Sequence, residues 1–220
     1  VRTAGCTVGC RVCDTKNSWP FESRKYQPPH TLEEIKAKIA ADRTRYVVVT
    51  GGDPMESRDF PALVELCEDL FVDGKFITIE LSGSVVSSDK DMMYRMLKVV
   101  ELWSFSPKVA SMQAVKHPNP IFIASVLRKA MSAQLKFVVD DERWNDSVEQ
   151  IDELLAVLAF ESAPPVPILL QTLTKYGDMP ATILARQKSV FELAHRDIEK
   201  YDWLEDARVT AQQHVLLGVR

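Results

Sequence analysis

The stretch Tyr46-Val47-Val48-Val49-Thr50-Gly51-Gly52-Asp53-Pro54 reads as a β-branched strand over Tyr46–Thr50 that stops on a glycine pair. The pattern on either side repeats that unit. Upstream, Thr31-Leu32-Glu33-Glu34 is a capping box that starts a helix through about Ala41, and Val1-Arg2-Thr3 reads as the tail of an earlier strand. Downstream, helices are predicted at 59–70, Asp89–Val100, Pro120–Met131, Asn145–Phe160 and Pro180–Tyr201. The last of these has Pro in its first turn. Strands are predicted at Lys75–Leu81, Leu102–Ser106, Leu135–Val139, Val166–Gln171 and Ala207–Thr210. Strands alternating with helices imply an α/β fold of βα units on a parallel sheet, a barrel or partial barrel in one domain spanning residues 1–220.

The chain has 220 residues, 46% hydrophobic and 26% charged, enough for one substantial core. A net charge of −4 argues against non-specific nucleic-acid binding. No apolar run has the length of a membrane span, and no secretory signal is visible. The chain opens on Val1 inside what reads as a strand, so a preceding N-terminal segment is expected.

Cys6, Cys10 and Cys13 stand in the run Gly5-Cys6-Thr7-Val8-Gly9-Cys10-Arg11-Val12-Cys13-Asp14-Thr15, a C-x3-C-x2-C spacing. Three thiolates this close suit one metal centre. One reading is a [4Fe–4S] cube, which normally takes four cysteines and would here keep one iron open. The other is a zinc site completed by a distant histidine. Structural zinc prefers four ligands, often in two pairs; there is no second pair here, and only His30 lies near. The triplet favours the cube. Reduced thiols on a metal place the protein in the cytoplasm.

The polar residues fall at one edge. Gly51-Gly52-Asp53-Pro54, Ser82-Gly83-Ser84, Ser106-Pro107-Lys108 and Gln171 all lie at or just after predicted strand C-termini, as does the cysteine loop. That edge builds the active site of parallel βα barrels. A glycine pair there lets backbone approach a ligand, and the Asp53 carboxylate or nearby carbonyls would suit an ammonium group. Ser106 and Lys108 would suit a carboxylate. Other candidates get plainer readings. Cys67 is a buried, inert thiol; Met92, Met93 and Met96 pack in the core; Asp140-Asp141-Glu142 is a solvated loop; His30, His117 and His195 are structural or solvated.

Taken together these segments resemble the radical S-adenosylmethionine (radical SAM, AdoMet) superfamily, and within it the 7-carboxy-7-deazaguanine synthase family. The run from Val1 to Cys6 and on through Cys13-Asp14-Thr15-Lys16-Asn17-Ser18-Trp19 is similar to that family's cluster loop. Val47–Pro54 is similar to its Thr-Gly-Gly-Glu-Pro segment, with Asp53 in place of the Glu. Glu80-Leu81-Ser82-Gly83-Ser84, Ser106-Pro107-Lys108 and the ending Gln212-Gln213-His214, six residues from Arg220, carry the rest of the likeness.

The resemblance implies a partial, open parallel βα barrel of the radical SAM type. It implies that Cys6, Cys10 and Cys13 hold the [4Fe–4S] cluster and that Gly51, Gly52, Asp53, Ser82, Ser106 and Lys108 line the site for S-adenosyl-L-methionine. It gives Thr15 to a Mg²⁺ ion. It gives Arg2, Thr50, Gln212, His214 and the Arg220 carboxylate to a pterin substrate, with Gln171 as a lesser pocket candidate. The implied reaction, in queuosine and 7-deazapurine biosynthesis, is radical ring contraction of 6-carboxy-5,6,7,8-tetrahydropterin to 7-carboxy-7-deazaguanine with loss of ammonia. The implied partners are an electron donor such as a flavodoxin or ferredoxin and a second copy in a homodimer, with no nucleic acid and no membrane. Two alternatives stand beside this reading: another radical SAM enzyme, such as a glycyl-radical activase, and a zinc-binding interaction module.

Overall fold

A computed structural model of the chain describes residues 1–20, 30–56, 60–175 and 178–211. Seven strands form one parallel sheet in chain order: β1 (Arg2–Thr3), β2 (Tyr46–Gly51), β3 (Phe76–Leu81), β4 (Leu102–Phe105), β5 (Ser132–Val139), β6 (Ile168–Thr172) and β7 (Arg208–Thr210). Each strand pairs with the next, and β1 does not pair with β7, so the sheet is open as expected.

The connecting helices are α1 (Leu32–Ala41), α2 (Phe60–Val72), α3 (Lys90–Val99), α4 (Pro120–Leu127), α5 (Trp144–Phe160) and α6 (Pro180–Arg196). The capping box of α1 forms: the Glu34 N–H donates to Thr31 Oγ1 at 3.2 Å, and the Thr31 N–H donates to Glu34 Oε2 at 2.9 Å. Asp89 and Asn119 cap α3 and α4 in the same way, accepting from the amides of Met92 and Phe122. None of the described helices is long and apolar enough to cross a membrane.

Side chains alternate across a strand, and here the two faces differ sharply. Val47, Val49, Ile77, Ile79, Trp103, Phe105, Leu135, Phe137 and Leu170 point to one face and are buried in the main core with Leu63, Leu70, Ile123, Val148 and Ile151 from the helices. Cys67 belongs to this core. It is fully buried, and burial pushes its thiol up to about 12, so it is inert as expected. The register puts Arg2, Thr50, Glu80, Ser104 and Gln134 side by side on the opposite, inner face. Two-sided burial would have made every strand continuously apolar. The polar alternates therefore mark the face that addresses solvent or ligand.

Two helices end earlier than expected. Helix α4 ends at Leu127 rather than Met131, because β5 starts at Ser132 to pair with Leu102. Helix α6 ends at Arg196 rather than Tyr201. There the Asp197 carboxylate accepts from the buried Trp144 Nε1 at 2.7 Å and from Arg196, fixing the turn.

Candidate active site

The site is built on the β1–β2 edge. Strand β1 is only two residues long, yet its backbone is held tightly: the Thr50 N–H donates to Val1 O at 2.9 Å and the Gly52 N–H to Thr3 O at 3.0 Å. The cysteine loop continues the contact, with Asp53 N–H donating to Gly5 O at 2.8 Å and Gly5 N–H to Ser18 O at 2.8 Å. Gly51 (φ +140°) and Gly52 have no room for a Cβ: at Gly51 it would strike the Thr3 backbone, and at Gly52 the Gly5 carbonyl. Sequence reasoning gave these glycines to a ligand. The structure spends their missing side chains on the cysteine loop itself.

That loop then crosses the strand C-termini. Val8 and Cys10 are buried with Met112 after β4, Val138 in β5 and Leu173 after β6, and Cys6, Val12 and Cys13 pack against the same small cluster. All three cysteines therefore pack on one small apolar cluster at the predicted edge of the sheet. All are free thiols. Burial pushes Cys10 up to about 11, opposed by the positive charge of Lys108. Burial also raises Cys6.

Cys13 Sγ accepts the Thr15 N–H at 3.3 Å, and the Thr15 hydroxyl lies 3.6 Å away. Hydrogen bonds to sulfur are a recurring support of thiolate-ligated clusters. Among the described residues no three His, Cys, Asp or Glu side chains are grouped as ligands of one ion. A cube asks for something else, one thiolate per iron, and three free thiols on one apolar cluster, one of them accepting an N–H, fit it.

The Asp53 carboxylate is buried and saturated. Its Oδ1 accepts from Met55 N–H at 3.0 Å, and its Oδ2 from Ser82 N–H at 3.0 Å and Ser82 Oγ at 2.5 Å. Burial pushes its pKa up against these bonds. Asp53 and Ser82 thus lace the ends of β2 and β3 together beneath the cysteine loop. Asp53→Glu, which installs the residue of the resembled family, is expected to destabilise the fold by about 2 kcal/mol through overpacking, read by denaturant unfolding.

Next along the edge, Lys108 Nζ donates to Ser106 Oγ at 2.9 Å. On the inner face Glu80 accepts from Thr50 Oγ1 at 3.1 Å and pairs with Lys136 Nζ at 2.9 Å. Burial raises the Glu80 pKa, but Lys136 and Thr50 outweigh it and the net shift is downward. Such a group stabilises the fold above its ordinary value of 4.5, and that contribution is lost as pH falls through the lowered folded value. Lys136→Met is therefore expected to flatten the acid limb of the stability–pH profile below about pH 4.5, measured as the urea midpoint against pH.

Arg2 is exposed on the inner face beside Thr50. Gln171 lies on the same face, between Val138 and Thr210, and Val138 belongs to the small cluster that Cys10 joins. Gln212, His214 and Arg220 lie outside the described residues. Glu80 and Lys136 were missed as site residues. The signal was present: in Thr78-Ile79-Glu80 and Gln134-Leu135-Lys136 polar residues alternate with apolar ones inside parallel strands. Asp140, read as part of a solvated loop, is buried instead; it accepts from Ser111 Oγ at 3.1 Å and from the Arg143 N–H at 2.9 Å, just ahead of α5. His117 and His195 are exposed, as expected.

Residues 1–119, which contain the cysteine loop and the strands from β1 to β4, match the family model described as the Radical SAM superfamily. The chain belongs to the radical SAM superfamily. Several curated relatives are similar to it and carry one activity in their names. 7-Carboxy-7-deazaguanine synthase from Rhodopirellula baltica is 30% identical over 172 residues, covering 72% of this chain and 60% of the relative. That of Hyperthermus butylicus is 32% identical, covering 72% of this chain and 62% of the relative. That of Synechocystis is 25% identical across 100% of this chain and 83% of the relative. The chain spans 60% and 62% of the length of the first two.

Among solved structures, QueE from Escherichia coli superimposes with a TM-score of 0.62 at 24% identity, covering 96% of this chain and 83% of that one. Streptococcus suis SuiB bound to S-adenosylmethionine gives 0.59 at 15% identity, covering 96% of this chain and 45% of that one. At these identities the likeness is one of fold, and it confirms the open parallel βα architecture of a radical SAM protein.

Proposed function

We propose that this radical SAM chain is a 7-carboxy-7-deazaguanine synthase, a carbon–nitrogen lyase that contracts 6-carboxy-5,6,7,8-tetrahydropterin to 7-carboxy-7-deazaguanine and releases ammonia. The observation that carries this is the shared name of its relatives, one of them aligned along the whole chain. A [4Fe–4S] cluster with S-adenosyl-L-methionine, when bound, supplies one-electron reduction and hydrogen-atom abstraction.

The protein's own part is placement. Cys6, Cys10 and Cys13 would hold the [4Fe–4S] cluster, one thiolate short of the usual four. Lys108, steadied by Ser106, offers a cation to its carboxylate. Arg2, planar and forked, suits the substrate's carboxylate. Thr50 and Glu80, already tied to each other on the inner face, offer a hydroxyl and a carboxylate to ring N–H groups. Lys136 keeps Glu80 ionised. Thr15, beside Cys13, would give its hydroxyl to Mg²⁺. Gln212, His214 and the terminal carboxylate would complete the pterin contacts. The electron donor would be a flavodoxin or ferredoxin, and the working unit a cytoplasmic homodimer.

The test is anaerobic reconstitution with iron and sulfide, then incubation with S-adenosyl-L-methionine, dithionite and the pterin. Mass spectrometry should find 7-carboxy-7-deazaguanine together with 5′-deoxyadenosine. 5′-Deoxyadenosine without the deazaguanine would keep the superfamily and remove the substrate.

A further inference from the structure

Glu56 closes the 3-10 turn Pro54–Glu56 that follows Asp53, and its side chain is only 10% exposed. Its carboxylate accepts from both the amide N–H and the hydroxyl of Thr7. Lys116 Nζ donates to the same Thr7 hydroxyl and lies 3.3 Å from Glu56 Oε1. The Lys116 backbone also reaches the loop: its N–H donates to Val8 O at 3.1 Å, and that of Val115 donates to the same oxygen at 3.0 Å. Gly9 adopts φ +69°, and a Cβ there would come within 2.9 Å of Val115 Cγ2. Every one of these contacts bears on Thr7, Val8 or Gly9, the three residues between Cys6 and Cys10.

Two loops, one after β2 and one after β4, thus grip the stretch between two of the cysteines. An ungripped stretch of this kind would have to lose its backbone freedom when the cluster binds. A gripped one has lost it already, which is how residues behind the ligands raise metal affinity. Exposed ion pairs contribute little. Glu56 differs because it is largely buried and accepts a backbone N–H that would otherwise lack a protein partner in this clamp.

We propose that Glu56 and Lys116 are positioning residues for the iron–sulfur cluster, holding the Thr7–Gly9 stretch so that Cys6 and Cys10 are set before the cluster arrives. This rests on the cluster reading of the three cysteines. The experiment compares wild type, Glu56→Ala, Glu56→Gln and Lys116→Met after anaerobic reconstitution. Three quantities are read: iron and sulfide per chain, the rate of visible-absorbance loss under excess iron chelator, and the unfolding midpoint of the metal-free chain.

Glu56→Ala should lose its cluster about tenfold faster than wild type. Glu56→Gln keeps an oxygen for the Thr7 N–H and should stay within about twofold of wild type. Lys116→Met should fall between them. The metal-free midpoints should fall by only a few degrees, leaving every variant folded under the chelation conditions. Equal chelation rates for Glu56→Ala and wild type would overturn the proposal. So would a Glu56→Gln chain as labile as Glu56→Ala, or a metal-free midpoint that falls in step with cluster loss. Wild type that takes up no iron would overturn the cluster reading beneath it, and it shows before any variant is compared.

Discussion

Cys10→Ala is expected to leave the chain folded and remove its chemistry altogether. Cys10 is buried, but in the small cluster over the strand ends and not in the main core. Trimming one sulfur from such a site costs about 1–2 kcal/mol, a shift of a few degrees in the melting of a metal-free chain this long. The metal centre has no such reserve. With two thiolates left of three, the cube loses a ligand that the remaining cysteine cannot replace, since Cys67 lies in the main core. Iron and sulfide per reconstituted chain should collapse, and cleavage of S-adenosyl-L-methionine should fall below detection. Cys67→Ala is the matched control: also buried, but in the main core, and expected to keep both. A Cys10→Ala chain that loads iron as fully as wild type would end the three-thiolate account.

Gly52→Ala is expected to be the most damaging substitution of a single hydrogen by a methyl group. The added carbon would overlap the Gly5 carbonyl and come within 3.0 Å of Ser18 O, and all of these neighbours are backbone. No rotamer change relieves such a clash. Relief requires the cysteine loop to lift off β2, which breaks the bonds from Gly52 N–H to Thr3 O and from Asp53 N–H to Gly5 O. A loss of about 3 kcal/mol follows, together with poor iron uptake. Gly74→Ala separates crowding from backbone strain. Gly74 has φ +71° and nothing within 4 Å of a built Cβ, so it should cost only about 1 kcal/mol. Chemical denaturation of the three metal-free chains orders them; a Gly52→Ala chain no weaker than Gly74→Ala would contradict the packing described.

The sheet was readable because each strand announces itself by composition and each turn by glycine, proline or a cap. Boundaries slipped where pairing overrode local preference. Ser132-Ala133-Gln134 carries no β signal and is a strand because β4 lies beside it. At the site, the cysteines and the strand-end placement of Asp53, Ser82, Ser106 and Lys108 were legible from spacing alone. The use made of them was not. Gly51 and Gly52 serve a contact with residues 48 and 47 positions earlier, Thr3 and Gly5, and a saturated carboxylate reads the same in sequence as an open one. Glu56 and Lys116 escaped notice for a similar reason. They meet Thr7 from 49 and 109 residues away, and neither sits in a motif. Alternation within β3 and β5 would have revealed Glu80 and Lys136, had the inner face been traced strand by strand.

The cysteine loop leaves the first strand and comes to rest against side chains beside the fifth and after the sixth. The chain's earliest residues therefore roof over parts made more than a hundred positions later. During synthesis this roof must wait, unsupported, until the rest of the building stands. Iron delivered to the growing chain would meet three scattered thiols. Delivered once the sixth strand has joined the sheet, it would meet a furnished socket.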